Sequence, residues 1–167
     1  MIANLLIRFL LWCARKTPPR VITGDGYGDK TVYLTRYFLF RHSSKTEGMD
    51  RHDNPPRWGL YLHRFHRGDK DRELHNHPWR WAVSLVLKGG YSEERRVQFM
   101  WDWEVVRRRV RPWSLNFFTH RDFHRVDLDN GEAWTLFLVG PVVQTWGFWD
   151  RASNTFTPWK KFLGIAE

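Results

Sequence analysis

The chain has 167 residues, enough for one domain with a substantial core, and 17% of them are aromatic, including 11 Trp. Its single cysteine, Cys13, excludes an internal disulfide and a cysteine-rich zinc site, and it favours a reducing compartment, so we expect a cytoplasmic protein. The formal charge of +9 fits nucleic acid or an anionic surface as a partner, and it fits solvated outer strand faces equally well.

The first predicted element is an amphipathic helix that Thr17-Pro18-Pro19 ends. Its apolar residues recur at helical spacing: Ile2, Leu5, Leu6, Phe9, Leu10 and Cys13. The apolar run is too short to cross a bilayer, Arg8 interrupts it, and the charge order of a secretory signal is absent. We predict that residues 1–19 form a helix and proline stop that pack on the domain, with attachment to a membrane surface as the alternative.

Residues 20–167 are predicted to form one β domain. A strand at Thr31–Arg41 and another at Trp58–His66 are separated by the polar loop His42–Pro56. Further strands are predicted at Tyr91–Phe99, Glu104–Arg111, Ser114–His120, His124–Leu128, Ala133–Val139 and Thr145–Trp149, before a short closing helix near Trp159. Eight or more short strands with almost no helix after residue 16 predict an all-β protein, either a closed barrel or a two-sheet jelly roll.

Two histidines one residue apart stand at the start of a long apolar run that ends at Gly89. On a strand, residues i and i+2 project from one face with Cβ atoms about 6 to 7 Å apart, so His75 and His77 can lean onto one metal ion. Their parity is shared by Trp79, Trp81, Val83, Leu85 and Leu87. This face is therefore predicted to be the dry, inward one, unless Pro78 introduces a bulge that shifts the phase.

One strand supplies only part of a metal site, so further ligands must come from a neighbouring strand about 4.8 Å away. His124 is the best candidate and His120 the spare, because the two share parity across a short turn. Glu73 lies two residues before His75 on the same parity, and could be a fourth ligand or hold the far nitrogen of a histidine. His63, on a predicted adjacent strand, is a further candidate for a role near the site.

The histidine strand resembles the first signature of the cupin superfamily. His75-x-His77 is followed by Gly89 at the expected distance, and Gly68 stands upstream, one residue further off than usual. Ala82 occupies the position where that signature has a glutamate. The resemblance implies a cupin-type β-barrel or jelly roll with an N-terminal amphipathic helix against its outside.

Thr119–Val126 resembles the second cupin signature, with His124 in the position of the metal histidine. More narrowly, His75–Tyr91 and Leu138–Trp149 resemble a group of small cupin-like proteins met in bacteriophage and bacterial genomes. The resemblance covers roughly residues 58–150. It is specific for the fold, less so for a metal site, and it implies no particular reaction.

Resemblance to the cupins implies three histidines and one glutamate around an enzymatic metal, and Ala82 removes that glutamate. Three hypotheses stay open. The site is a three-histidine site, as in the cysteine dioxygenase branch, that binds Fe(II), Zn, Ni or Mn and leaves positions for substrate. Alternatively, Glu73 replaces the missing carboxylate. In the third hypothesis the metal is gone and the barrel is kept as a binding cup.

Our leading prediction is a metal-binding cupin-like protein with the ligands His75, His77 and His124, supplemented by Glu73 or His120. As an enzyme it would be a metal-dependent oxygenase or isomerase of a small polar molecule, with catalytic residues still unknown. The alternative is a metal-free, basic cupin fold that acts as an interaction module for nucleic acid or protein. Arginines that could hold an anionic group are Arg80, Arg121 and Arg125. A homodimer is expected by analogy alone.

Overall fold

The computed structural model describes residues 1–23, 31–42, 57–69, 73–128, 131–162 and 164. Within this part of the chain, helix α1 (Ile2–Ala14) is followed by short strands and by the one-turn helix α2 (Trp159–Phe162). The all-β prediction with a helix at the start is confirmed. The predicted loop at His42–Pro56 lies outside the described residues, except for His42, which ends a strand.

The described strands, in chain order, are β1 (Arg20–Thr23), β2 (Val32–His42), β3 (Trp58–Phe65), β4 (Leu74–His75), β5 (Trp81–Lys88), β6 (Tyr91–Phe99), β7 (Asp102–Val110), β8 (Leu115–Thr119), β9 (His124–Leu128), β10 (Ala133–Val139), β11 (Gly147–Asp150) and β12 (Thr155–Pro158). They form two antiparallel sheets, in the orders β1-β2-β3-β10-β5-β8 and β12-β11-β4-β9-β6-β7. Consecutive strands repeatedly change sheet, as in a jelly roll, so that the inner faces of both sheets enclose one interior.

The inner face of β5 is not the one that the sequence pattern predicts. Ala82, Ser84 and Val86 are buried at 1%, 3% and 0% exposed and share the parity that faces the interior. The predicted inward series lies on the outer face of the sheet, where Leu87 is buried as well, next to Ile7 of the N-terminal helix. The cause is a break in the chain after the histidines, because β4 ends at His75 and Trp79 makes only an isolated bridge. Pro78 lies in this break, so the parity changes by one residue between the histidine pair and β5.

Helix α1 packs on the outer face of the first sheet, as predicted, but with a different side of the helix. Ile7 is buried there against Leu62, Leu87 and Trp134, with Leu6, Leu10 and Leu11 beside it. Of the residues on the predicted apolar face, Leu6 and Leu10 do pack on the sheet. The others are exposed: Ile2, Leu5, Phe9 and Cys13. Among the described residues, no helix is long and apolar enough to cross a membrane.

Two glycines have a positive φ, in the left-handed region of backbone conformation. Comparing substitutions at the two positions distinguishes the cost of backbone strain from that of steric clash. Gly89 follows β5 with φ +78°, and a Cβ there would lie 2.2 Å from the carbonyl oxygen of Glu132. Gly131, with φ +70°, has nothing within 4 Å of a Cβ. We expect Gly131→Ala to lower the free energy of unfolding by roughly 1 kcal/mol, the cost of a side chain in this region, and Gly89→Ala to lower it by at least about twice as much. Urea denaturation of both variants checks this, and equal losses would contradict it.

Candidate metal centre

Three histidines meet at the point where β4 and β9 pair in the second sheet. His75 ends β4, His124 begins β9, and the two are directly opposite each other in the register. His77 lies two residues after His75 along the chain. The ring centroids lie 5.2 Å apart for His75 and His77, and 5.0 Å apart for each of these with His124. One ligand nitrogen from each of the three lies within 4.8 Å of the other two.

The closest approach within this triad joins Nε2 of His77 to Nε2 of His124, at 2.8 Å. Two nitrogens at about 2.1 Å from one metal, and at right angles around it, are about 3.0 Å apart. The pair is therefore spaced for two neighbouring coordination positions.

A buried carboxylate orients His124. Nδ1 of His124 donates a hydrogen bond to Oε1 of Glu93 over 2.7 Å, and Glu93 is 0% exposed. An ionised carboxylate only accepts, so Nδ1 of His124 carries a proton and its other ring nitrogen, Nε2, faces His77. A carboxylate behind a ligating histidine is the usual outer partner in metal sites, where it fixes the ring and makes the ligand more basic.

Glu93 is held in turn by three neighbours. Arg95 donates to Oε1 over 2.9 Å, Arg108 donates to Oε2 over 2.6 Å, and the amide of Asn116 donates to Oε1 over 3.1 Å. Burial alone would raise the pKa of Glu93, but the hydrogen bond and charge of His124, followed by Arg95, outweigh it and hold the pKa well below the usual carboxyl value. The carboxylate is thus charged across the physiological pH range.

A second buried carboxylate lies behind His75. Oδ2 of Asp69 is 3.4 Å from Nδ1 of His75, and the side chain of Asp69 is 1% exposed. The hydroxyl of Tyr33 donates to Oδ2 over 3.3 Å, and the backbone N–H of Val126 donates to Oδ1. Asp69 also joins the loop after β3 to β9, because its own N–H donates to the carbonyl of Val126. Two of the three imidazoles therefore have a carboxylate on the side away from the triad.

His77 has apolar neighbours instead. Its ring stacks on Trp79 with centroids 5.4 Å apart and meets the edge of Phe118. Burial, and after it the charges of His124 and His75, holds the pKa of His77 well below its usual value. The imidazole is therefore neutral near pH 7, which is the form that binds a metal.

The backbone between the two histidines is fixed by the side chain of Asn76, which is 5% exposed. The backbone N–H of Asn76 donates to the carbonyl of Gly147 over 3.1 Å. The side-chain Oδ1 of Asn76 accepts from the backbone N–H of Gly147 over 2.9 Å. Its amide nitrogen donates to the carbonyl of His120 over 3.2 Å. One side chain thus continues the strand pairing where β4 itself stops after His75.

The other predicted site residues lie apart from the triad. Among the described residues, the group whose ligand atoms meet contains neither Glu73 nor His120, both of which are half-buried. Nδ1 of His120 is 3.4 Å from the carbonyl of Arg80. Ala82, at the position of the cupin glutamate, packs in an apolar cluster with Tyr61, Phe118, Phe137 and Val139.

Sequence reasoning missed both carboxylates that lie behind the histidines. Nothing in the sequence around Asp69 predicts its burial. Glu93 left a weak signal, because it shares parity with Tyr91 in β6, and an acid on the inward face of a strand needs a partner. That partner lies 31 residues further along the chain, at His124.

The triad faces a cavity of about 400 Å³, towards the lower end of the usual range for small-molecule sites. Its walls are mostly aromatic and include Tyr61, Phe65, Trp79, Tyr91, Phe118, Phe137, Trp146 and Phe148. The arginines among its described lining residues are Arg20 and Arg36. The three arginines predicted from the sequence, Arg80, Arg121 and Arg125, are not among them.

No protein-family model matches this chain, and neither does any curated protein. Among solved structures, FeII HppE in complex with substrate aligns with a TM-score of 0.52 at 11% identity, over 75% of this chain and 57% of HppE. The DMSP lyase DddQ from Ruegeria pomeroyi DSS-3 aligns with a TM-score of 0.50 at 16% identity, over 78% of this chain and 59% of DddQ. The 7S globulin from Momordica charantia aligns at 0.51 and 12% identity, over 82% of this chain and 36% of the globulin.

Likeness at such low identity shows the fold, which is the cupin-type jelly roll. This chain spans less than two thirds of the length of each of these three neighbours. An iron(II) protein, a lyase and a globulin all share the architecture, so the fold by itself assigns no activity. The argument for function therefore depends on the residues of the cavity.

The neighbouring residues Glu93 and Glu94 offer a matched test of the outer carboxylate. Glu93→Gln keeps the shape but removes the charge behind His124, and loss of such a partner typically weakens metal binding about 10- to 100-fold. Glu94→Gln changes a partly exposed carboxylate that pairs with Arg125 on the other face of β6, and should alter Zn²⁺ affinity less than about twofold. Competition with a chromogenic chelator measures both affinities. Equal affinities for the two variants would contradict the role of Glu93.

Proposed function

We propose that this protein is a metal-binding cupin-fold protein in which His75, His77 and His124 hold one divalent transition metal ion and the cavity takes a small molecule. The observation that supports it best is the arrangement of three imidazoles around one point, with buried carboxylates behind two of them. A histidine triad that merely filled a core would need no charged group at Nδ1, and burying a carboxylate is costly.

The donor set favours a particular class of ion. Three neutral imidazoles suit Fe(II), Zn, Ni or Mn, and they leave the ion with open positions on the side of the cavity. When bound there, such an ion would supply Lewis acidity or redox chemistry to a small polar molecule. The proposed activity, as an oxygenase or isomerase, depends on that supply. Glu73 or His120 as an additional ligand stays a prediction.

The residues around the triad have three tasks in this proposal. Glu93 and Asp69 keep protons on Nδ1 of His124 and His75, so that Nε2 of each is available. The aromatic walls exclude water from the cavity, which strengthens every polar contact inside it. Asn76 keeps the two neighbouring histidines at a fixed separation through its bonds to Gly147 and His120.

The alternative prediction, a basic interaction module suggested by the net charge of +9, has less support where arginines are already paired with carboxylates. Arg108 is bonded to the buried Glu93, and Arg107 lies 3.5 Å from a carboxylate oxygen of Asp127. Arg125 pairs with Glu94. Charges paired within the protein contribute less to binding of nucleic acid. Binding to nucleic acid and homodimer formation both stay predictions.

Metal analysis of protein purified without a histidine tag tests the proposal. We expect about one equivalent of transition metal per chain, and its loss in the double variant His75→Ala/His77→Ala, which removes two of three ligands. His120→Ala serves as the matched control and should keep the metal. Added Zn²⁺ at about 100 times its dissociation constant should stabilise the wild type by about 2.7 kcal/mol and leave the double variant unchanged.

Circular dichroism of the double variant shows whether the jelly roll survives without these two side chains. The proposal is wrong if a folded double variant binds Zn²⁺, Fe²⁺, Ni²⁺ and Mn²⁺ as tightly as the wild type does. It is equally wrong if the wild type binds none of these ions. Loss of metal in His120→Ala would instead add His120 to the ligand set.

A further inference from the structure

Two arginines stand directly opposite each other beside the cavity. Arg20 of β1 and Arg36 of β2 are register partners in the antiparallel pair, and both line the cavity. Cβ atoms of directly opposite residues lie about 4.5 to 5.5 Å apart, and like charges at such positions destabilise a sheet. An anion that both guanidinium groups contact would offset this repulsion.

Arg36 is seated at a fixed place in the wall. Its guanidinium carbon lies 5.0 Å from the centroid of Tyr61 and 5.7 Å from that of Trp79. Its Nε donates to Nε2 of His63 over 2.9 Å. Burial, and after it the charge of Arg36, holds the pKa of His63 well below its usual value, so the buried imidazole is neutral and able to accept this bond. A guanidinium held by rings and by its Nε loses little further freedom when its terminal nitrogens bind a ligand.

Among the described residues that line the cavity, two are arginines and one is acidic. Asp69 is the acidic residue among its described lining residues, and its carboxylate already accepts from Tyr33 and Val126 and lies against His75. The two arginines face the same space with no second carboxylate in the described lining. A low-dielectric, aromatic wall strengthens their field inside the cavity.

We propose that Arg20 and Arg36 form a subsite for the carboxylate of a small organic acid, whose other end reaches the histidine triad. The fork of a guanidinium matches a carboxylate with two parallel hydrogen bonds, which a neutral amide cannot reproduce. This inference names the ligand class for the proposed function and rests on it for the end at the histidines. The arginine subsite itself is independent of the metal.

Benzoate and benzamide are matched probes of this subsite, because they differ in charge and hardly in shape. Isothermal titration of the metal-free protein is expected to show benzoate binding at least about tenfold more tightly than benzamide. Arg36→Met should remove the preference, and Arg20→Met should reduce it. Arg80→Met, which changes an arginine outside the described lining, should leave it intact.

Each outcome separates the subsite from the metal proposal. No benzoate binding up to about 10 mM, or an equal preference in folded Arg36→Met, overturns the subsite even if Zn²⁺ binds. Retained preference in a protein that binds no metal leaves the subsite standing and overturns the proposed function alone. Inorganic phosphate is the second probe, and tighter binding of phosphate than of benzoate would overturn the assignment to a carboxylate.

A different observation, on the outside of the fold, carries a second inference. Helix α1 is apolar on two sides, one packed on the first sheet and the other exposed. The exposed stripe consists of Ile2, Leu5, Phe9 and Trp12, each between 57% and 72% exposed. Their spacing of three and four residues places them on one face of the helix.

The charged side chains of the segment that contains this exposed stripe, residues 1–23, are all positive. Arg8, Arg15, Lys16 and Arg20 are exposed, and residues 1–23 contain no Asp or Glu. The guanidinium of Arg15 lies 4.3 Å from the ring centroid of Trp12. Aromatic and aliphatic side chains between cations are typical of helices that lie in the headgroup region of anionic bilayers.

We infer that the exposed stripe of α1 binds the surface of an anionic membrane, with the helix in the plane of the interface. A second copy of this chain is a poorer occupant, because it would bring the same cations against these. The stripe would bury its apolar side chains among the acyl chains while Arg8, Arg15 and Lys16 contact headgroups. The cavity is not involved in this contact.

Sedimentation with lipid vesicles tests the membrane inference. We expect the full chain to bind vesicles with roughly 30% phosphatidylglycerol at least about tenfold more tightly than pure phosphatidylcholine vesicles, and to be released by salt. The variant Leu5→Gln/Phe9→Gln/Trp12→Gln should lose this binding and keep its circular dichroism spectrum. Trp101→Gln, at the exposed turn between β6 and β7, is the matched control and should bind normally.

Three results would overturn the membrane inference. The first is an absence of binding to the anionic vesicles, and the second is undiminished binding of the triple variant. The third is concentration-dependent self-association that the triple variant abolishes, without vesicle binding, since this would assign the stripe to a second copy. Sedimentation equilibrium measures the self-association.

Discussion

The buried charge of Glu93 is the interaction on which both the fold and the site depend. Its hydrogen-bond partners come from β6, β7, β8 and β9, so one carboxylate connects strands of both sheets. One of these partners is His124, the first residue of β9. A buried ion pair gains little stability over well-packed apolar residues, but losing one partner leaves an uncompensated charge in the interior. The network is therefore better explained by the orientation of His124 than by stability.

The cavity is lined by residues from both sheets. The second sheet supplies His75, His124 and Glu93, while β1, β2 and β3 of the first sheet supply Arg20, Arg36 and His63. A molecule that spans the cavity would contact nitrogen ligands at one end and guanidinium groups at the other. The aromatic walls between them offer stacking contacts and no competing carboxylate among the described lining residues apart from Asp69.

Much of the architecture could be predicted from the sequence, because period-two patterns and turn residues are local. The strand at His124–Leu128 has the predicted bounds, and the hairpin of β6 and β7 differs only in where its turn falls. The convergence of His75, His77 and His124 followed from spacing and from likeness to a known signature. The set of β5 residues that faces inward could not be predicted in this way. The break near Pro78 depends on tertiary structure, and an alternating pattern counted along the sequence does not register it.

The carboxylates and the cationic wall could not be predicted for a related reason. Asp69, Glu93 and Arg36 each have a partner at least 27 residues away, in Tyr33, His124 and His63 respectively, and no local pattern encodes such contacts. The side of α1 that packs was also undetermined, because a helix with apolar residues on two faces can bury either. The sheet beneath decides, by offering Leu62, Leu87 and Trp134 to Ile7.

Asn76 shows how tightly the residue between two ligands can be constrained. Its amide accepts at one end and donates at the other, so an aspartate of the same shape could satisfy Gly147 but would set an oxygen against the carbonyl of His120. Spontaneous deamidation at this position would make that replacement without any change in the gene. Such a chemical change would loosen the contact that holds the backbone between His75 and His77 in place.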